Sequence, residues 1–374
     1  MFGCGCLGCA GTFFFLGMGL LLVVAVPNPV VLGIAAFAAL LPVPMLAFLV
    51  LQLDRYEKEP WQVLLAAFLW GAVVATFIAA ISNDLIGAIV SLIVGNELGG
   101  LLTTSVVAPI VEETAKGTAL LLLYVILRHE FDNVLDGIVY GSLVGIGFAM
   151  TENILYFGRI MQENGLIGLG VLFYLRVMLG GFGHALYTGT TGAGIGYARE
   201  THRKWLIPII VPFAYLLGIF QHAAWNFLAS SFVPSLLPDD VNPLMLLFVV
   251  MPITTVVLTG PGIIVLLVIA RLACKRESGV IRVHLADEVP LGVLSQEEYE
   301  RLPSQRQRFN AEIRALRQHG LRAFFAQRDL HQAATELAFR KWHLSRGEHP
   351  KRAQRLKPED RYRQLIAVHR THLR

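Results

Sequence analysis

Charge is scarce in this chain: Asp, Glu, Lys and Arg make up 16% of its 374 residues, against 55% apolar. A soluble domain of that length needs a more polar surface, so the shortage points to the bilayer as solvent. Cysteine is scarce too. Cys4, Cys6 and Cys9 lie at the start and Cys274 just beyond the last apolar run, which excludes a disulfide framework. The early trio has no His or acidic neighbour and reads as small residues at a membrane border rather than a metal or lipidation site. Residues 1–26 lack the positive leading region of a secretory signal, and Cys6-Leu7 fits a lipoprotein cleavage site poorly, so the segment reads as a retained helix. Nucleophile motifs are also missing. There is no Gly-x-Ser-x-Gly and no catalytic Cys inside a span, which disfavours a covalent mechanism, and His-Glu-x-x-His is absent.

What the chain has instead is long apolar runs. A hydrocarbon core of about 30 Å needs roughly 20 apolar residues in a helix. Scanning at that length finds about eight spans, near 10–26, 30–53, 62–82, 101–127, 134–157, 170–198, 205–231 and 244–270. The expected fold is all-α, a polytopic transmembrane helical bundle at 1–274 followed by a basic cytoplasmic helical tail at 275–374. The stretch 85–94 is too short to span and reads as an interfacial or re-entrant piece leading to a turn at Gly99-Gly100. Charge separates the two parts: residues 271–374 hold 22 of the 31 Lys and Arg but 12 of the 27 Asp and Glu. The tail and the loops holding Arg55 and Lys58, Arg128, and Arg199, Arg203 and Lys204 fall on one side, which the positive-inside rule makes cytoplasmic for both termini. No nucleic-acid motif accompanies the basic tail. Ser295 and Glu298 have capping-box spacing, and Leu321, Phe324, Phe325, Ala333, Leu337 and Trp342 approximate one apolar face, with Gly320 between two helices. Such a hairpin suits a protein partner, anionic lipid or packing on itself.

Ionisable groups inside apolar helices cost about 2.5–3.5 kcal/mol each on insertion scales and mark function. The fourth span carries Glu112, Glu113 and Lys116, with Glu112 and Lys116 four apart on one face. The fifth carries Phe148, Glu152 and Asn153; the sixth His184 and Thr188; the seventh His222 and Asn226. Counted from the non-cytoplasmic ends, Glu112, Glu152, His184 and His222 lie about 8–21 Å deep at 1.5 Å per residue, so four helices bring them to one layer. Pro109 is expected to start a helix and to leave Glu112 and Glu113 near its positive N-terminus. Asp84, Glu97, Asp136, Arg159 and Arg176, near ends or turns, read as solvated or snorkelling. Interhelical glue is usually Ser, Thr or a lone Asn, so two adjacent Glu and two His exceed what packing needs.

These groups suit peptide hydrolysis by an activated water. A buried Glu beside a His takes the proton from water and returns it to the leaving amine, while an Asn amide donates to the oxyanion. No cofactor is favoured on this reading. The alternative is zinc held by Glu112, Glu152, His184 and His222. A non-enzymatic scaffold or transporter with an intramembrane polar site is the reading from another class.

At these residues the chain resembles the PrsW family of intramembrane proteases, within the wider group of CAAX prenyl proteases and bacteriocin-processing enzymes. Four motifs stand in that family's order: Glu112-Glu113 with Lys116, Phe148 with Glu152-Asn153, His184 with Thr188, and His222 with Asn226. Asp54-Arg55-Tyr56-Glu57-Lys58-Glu59-Pro60 looks like its acidic, Pro-terminated early loop. The resemblance covers about residues 50–230. It implies catalytic positions at Glu112, Glu152, His184 and His222 with Asn226 assisting, and Glu113, Lys116 and Asn153 as motif members. It also implies a membrane-anchored protein substrate, such as an anti-sigma factor, cut at the cell membrane. The long basic tail departs from the minimal family pattern.

Overall fold

The structure, a computed structural model, describes residues 2–54, 56, 59–127, 130–238, 240–345 and 358–373. Helices and short connections make up all of it, with no strand among the described residues. The side chains of Cys4, Cys6 and Cys9, and residues Arg55, Glu57, Lys58 and Arg128, lie outside the described part. Two compact units emerge, one of residues 1–52 and 59–270, the other of 53–58 and 271–374.

The first unit begins with α1 (Phe2–Ala25), α2 (Pro29–Leu40) and α3 (Val43–Leu51). Asn28 starts α2 by accepting from the Val30 and Val31 amides, with Pro29 in the first turn, where its missing N–H costs nothing. Pro60 precedes α4 (Trp61–Leu69), which a π-turn at Trp70–Ala75 joins to α5 (Thr76–Val94). The stretch 85–94, expected as a separate re-entrant piece, continues α5. The break falls at Gly95, where φ of 87° is open to glycine, and the expected turn residues Gly99 and Gly100 lie inside α6 (Asn96–Leu102).

A second π-turn, Thr103–Val107, leads into α7 (Ala108–Ile126). The chain therefore does not break before Pro109. The wider π-turn accommodates a residue without an N–H, and Glu112 and Glu113 sit inside a continuing helix rather than at a free N-terminus. Then come α8 (Val134–Phe173), a π-turn at Tyr174–Leu179, α9 (Gly183–Glu200), α10 (Ile207–Phe227) and the helix Met251–His284. Asp136, expected to be solvated, is 1% exposed and completes the capping box of α8 with Asn133. Its carboxylate accepts from the Asp132 and Asn133 amides, which satisfies a buried charge.

Among the described residues five helices are long and apolar enough to cross a membrane: Pro29–Leu51, Trp61–Val94, Val134–Glu200, Lys204–Phe227 and Pro243–Glu288. The 67 residues of Val134–Glu200 break at Gly165, with φ of 62°, and α9 returns against α8, so this run holds two of the expected spans. Gly11–Ala25 is shorter, and Ala108–Ile126 carries Glu112, Glu113 and Lys116. Large apolar side chains such as Phe37, Leu92, Ile167, Phe220 and Val256 point outward, as a lipid solvent allows.

Close approach of α8 and α9 sets the position of the polar residues. A Cβ on Gly137 would lie 2.1 Å from the Gly192 carbonyl oxygen, one on Gly141 2.5 Å from that of Thr188, and one on Gly145 2.2 Å from that of His184. Three glycines four residues apart thus let α9 lie on the α8 backbone, the small-residue packing that membranes favour.

The second unit is helical, with a Ser295–Glu298 capping box and helices Gln305–His319, Leu321–Ser345 and Glu359–Thr371. Gly320, at φ of 80°, separates the first two of these. Leu321 and Phe325, expected on the buried face, are exposed; Ala323, Ala326, Leu330, Ala334 and Leu337 form it, because small residues permit the closer helix contact. Glu288 is fully buried and accepts from Arg363 through both oxygens, at 2.8 and 2.9 Å, which anchors the last helix.

Candidate active site

One turn of α7 presents Glu112, Glu113 and Lys116, and none of the three side chains is more than 7% exposed. Lys116 Nζ lies 2.9 Å from Glu113 Oε1 and 3.6 Å from Glu112 Oε2, and it stands 3.7 Å above the centre of the Phe148 ring. From α9 the Thr188 hydroxyl donates to Glu113 Oε2 at 2.9 Å. From α10 His222 Nδ1 lies 3.1 Å from Glu113 Oε1. Glu113 is thereby saturated by three helices, which is how a carboxylate survives burial at low dielectric.

A second chain of contacts runs beside the first. Lys116 Nζ donates to His184 Nδ1 at 2.9 Å, so Nε2 of His184 carries the ring proton and meets Glu152 Oε2 at 3.0 Å. Arg176, from the π-turn after α8, donates to Glu152 Oε2 and to Asn153 Oδ1, both at 2.5 Å. Its guanidinium also lies over the Tyr156 ring. Arg176 was expected to snorkel at a helix end; instead it is the counter-ion of Glu152, because the π-turn directs it inward.

Glu112 differs from its neighbours. Its Oε1 accepts from Asn83 Nδ2 at 3.3 Å, whereas Oε2 is buried without a hydrogen-bond partner and lies 3.8 Å from His222 Nε2. Glu112, Glu152, His184, His222 and Asn226 all line one cavity of about 1180 Å³, while Glu113 and Lys116 lie behind its wall. Asn226 donates to the Thr104 carbonyl at 3.0 Å. Three carboxylates, Glu112, Glu113 and Glu152, thus share the Lys116 and Arg176 side chains as their basic partners.

The structure brings together all ten polar and aromatic residues singled out from the sequence, in two layers. Three further contributors were not assigned to the site, Asn83 and Tyr187 because they were not singled out and Arg176 because it was read as snorkelling. Asn83 stands in an apolar helix near the base of the third expected span, Arg176 is the lone charge within residues 170–198, and Tyr187 lies inside the motif from His184 to Thr188. Isolation of a charge in an apolar run was the available signal for Arg176, whereas Asn83 stands in the short polar run Ser82-Asn83-Asp84 and had no such mark.

Buried carboxylates and imidazoles on one cavity of a multi-helix membrane protein are the groups that a membrane-embedded hydrolase uses. The family model of PrsW family intramembrane metalloproteases matches residues 59–257, more than half of the chain and inclusive of every residue of this cluster. Protease PrsW of Bacillus subtilis is 33% identical over 165 residues, 42% of this chain and 68% of the relative. Protease PrsW of Oceanobacillus iheyensis is 37% identical over 112 residues, 29% of this chain and 47% of the relative. That of Geobacillus kaustophilus is 28% identical over 193 residues, 46% and 79% of the two chains. The chain belongs to the PrsW family of intramembrane proteases. The match spans just under half the length of the Oceanobacillus relative and more of the others. No solved structure matches the chain.

The family description names a metal, and Glu112, His184 and His222 are of the residue types that would hold one. Glu112, His184 and His222 offer atoms within 4.8 Å of one another, and Glu112 Oε2 is an orphaned buried acceptor aimed among them.

Proposed function

We propose that this protein is an endopeptidase that cuts a membrane-anchored protein within or close to the bilayer, with Glu112 as general base. The observation that carries this is the contrast between Glu112 and Glu152. Glu152 has both Arg176 and His184 on one oxygen, whereas Glu112 Oε2 accepts no hydrogen bond, has the Lys116 ammonium at 3.6 Å and faces His222 across a 3.8 Å gap on the cavity wall. A water hydrogen-bonded to Glu112 gives up a proton as its oxygen bonds to the scissile carbonyl carbon. Glu112 then passes that proton to the departing amine nitrogen as the C–N bond breaks. His222, held by Glu113, orients the water. Glu152 and Arg176 hold His184, and Asn226 assists at the oxyanion as a second donor.

A zinc ion held by Glu112, His184 and His222 would polarise the carbonyl and acidify its water. Lys116 favours the metal-free, glutamic-type reading: its ammonium already supplies a cation against Glu112, and it occupies Nδ1 of His184 while Glu152 takes Nε2. The ordered motifs also support kinship with the CAAX prenyl and bacteriocin-processing enzymes. An anti-sigma factor is the substrate class that the family resemblance suggests. The basic bias of the tail supports placing both termini in the cytoplasm and a role for residues 275–374 in holding a protein partner or anionic lipid.

The test is substitution of Glu112, Glu152 and His222 by Ala, one at a time, in purified protein with a membrane-anchored peptide reporter. Loss of cleavage in all three is expected, and undiminished cleavage by all three ends the proposal.

A further inference from the structure

One polar atom on the cavity wall has no part in the reaction so far described. Tyr187 is 2% exposed and lines the cavity, and its hydroxyl has no hydrogen-bond partner. A buried hydroxyl left unpaired costs about 1–3 kcal/mol. Phe would fill the same space, so packing alone does not call for the oxygen, and its donor is left to whatever enters the cavity.

Its surroundings suggest the use. The Tyr187 ring stacks on His222, with centroids 4.9 Å apart and planes at 18°, and it meets His184 edge-on at 5.9 Å. The hydroxyl lies beside Gly183, where an added Cβ would stand 3.0 Å from it. Gly183 opens α9, whose 18 residues begin without a side-chain cap, and it lines the same cavity. A free O–H donor and the positive end of a helix therefore face one part of the cavity, next to His184. Asn226, which also lines this cavity, already spends one N–H on Thr104.

We propose that Tyr187 is a further catalytic residue: its hydroxyl, with the N-terminal end of α9, binds the carbonyl oxygen of the scissile peptide as that oxygen becomes an oxyanion. This rests on the reading of Glu112 as base. When the water oxygen bonds to the carbonyl carbon, the C=O π pair moves to oxygen, and Tyr187 donates a hydrogen bond to it while keeping its own proton. When the C–N bond breaks, the pair returns to re-form C=O, and the proton held by Glu112 goes to the amine nitrogen.

The experiment compares the full chain with its Tyr187→Phe variant, which keeps the ring stack and removes only the oxygen. Expected is a fall in kcat of about 10²-fold, the size found for losing one oxyanion donor, with KM within about twofold. The thermal midpoint should be unchanged or higher, because an unpaired buried group is gone. A peptide aldehyde, whose hydrate carries a tetrahedral centre, should lose affinity by a similar factor, while the matching peptide amide should not. A variant with wild-type kcat overturns the assignment, and so does one with a lowered midpoint and unchanged aldehyde affinity. Glu112→Gln run alongside separates the two claims. If it is active, the base assignment fails; if it is inactive and Tyr187→Phe is fully active, only the oxyanion assignment fails.

Discussion

Lys116 Nζ lies 2.9 Å from His184 Nδ1, and this contact couples the charge on α7 to the tautomer on α9. An ammonium only donates, so Nδ1 accepts and the ring proton points at Glu152. The same ammonium neutralises Glu113 from 2.9 Å. Lys116→Met keeps the stem and removes the cation, leaving two buried carboxylates without their counter-charge. Stability should fall by about 3–5 kcal/mol in denaturant titrations, the range for breaking a buried pair, and cleavage should vanish. Lys116→Arg should not restore cleavage, because a planar fork does not fit three partners placed for a compact ammonium.

Gly145 is expected to be intolerant for a reason remote from chemistry. Alanine there would put Cβ 2.2 Å from the His184 carbonyl oxygen, forcing α9 off α8 and moving His184. Thermal unfolding of Gly145→Ala should show a loss of about 1–3 kcal/mol, together with reduced kcat. Gly170, with nothing within 4 Å of its would-be Cβ, serves as the control. Gly170→Ala should leave both quantities near wild type.

Arg176 holds Glu152 and Asn153 through separate nitrogens. Arg176→Lys keeps the charge and loses the fork, so His184 should drift and kcat/KM fall by about 10²-fold, the scale of a misplacement near 1 Å. A steady-state assay in which Arg176→Lys matches wild type would remove Arg176 from the site's support.

Metal dependence separates the two catalytic readings. With Lys116 as the resident cation, exhaustive chelation followed by dialysis should leave cleavage intact, and added zinc should not raise it. Loss on chelation with recovery by zinc would assign Glu112, His184 and His222 as ligands instead.

The tail carries its own pH dependence. Burial holds His331 below its ordinary value of 6.5, with the Glu312 hydrogen bond opposing and Arg308 reinforcing that shift. The unfolded chain then binds a proton that the folded unit resists. His331 stability is therefore complete above about pH 6.5 and is lost progressively as pH falls from there toward the depressed folded value. Hydrogen-exchange protection factors in residues 321–345, taken relative to the intrinsic rate at each pH, should fall between pH 7 and pH 5, and His331→Gln should flatten that change relative to wild type.

Helical membrane architecture was legible because apolar runs of bilayer length leave few alternatives. The motif residues stood out because charge inside such runs is costly. Less legible was whatever depended on backbone detail. The π-turn at Thr103–Val107 carries the helix past Pro109, and the one at Tyr174–Leu179 turns Arg176 inward; neither leaves a clear mark in residue type. Gly95 rather than Gly99-Gly100 makes the turn, because positive φ at one position decides it. In the tail, alanines rather than Leu321 and Phe325 line the interface, since helix distance and not hydrophobicity alone selected them. The difference between Glu112 and Glu113, adjacent and identical in type, exists only in three dimensions.

The most direct measurement is single-turnover cleavage of a membrane-anchored reporter by purified Glu112→Gln protein, whose side chain keeps the shape and loses the basic oxygen. The account predicts a rate about 10³-fold below wild type with reporter binding retained, the middle of the range for a lost general base. A rate within a few-fold of wild type would contradict it.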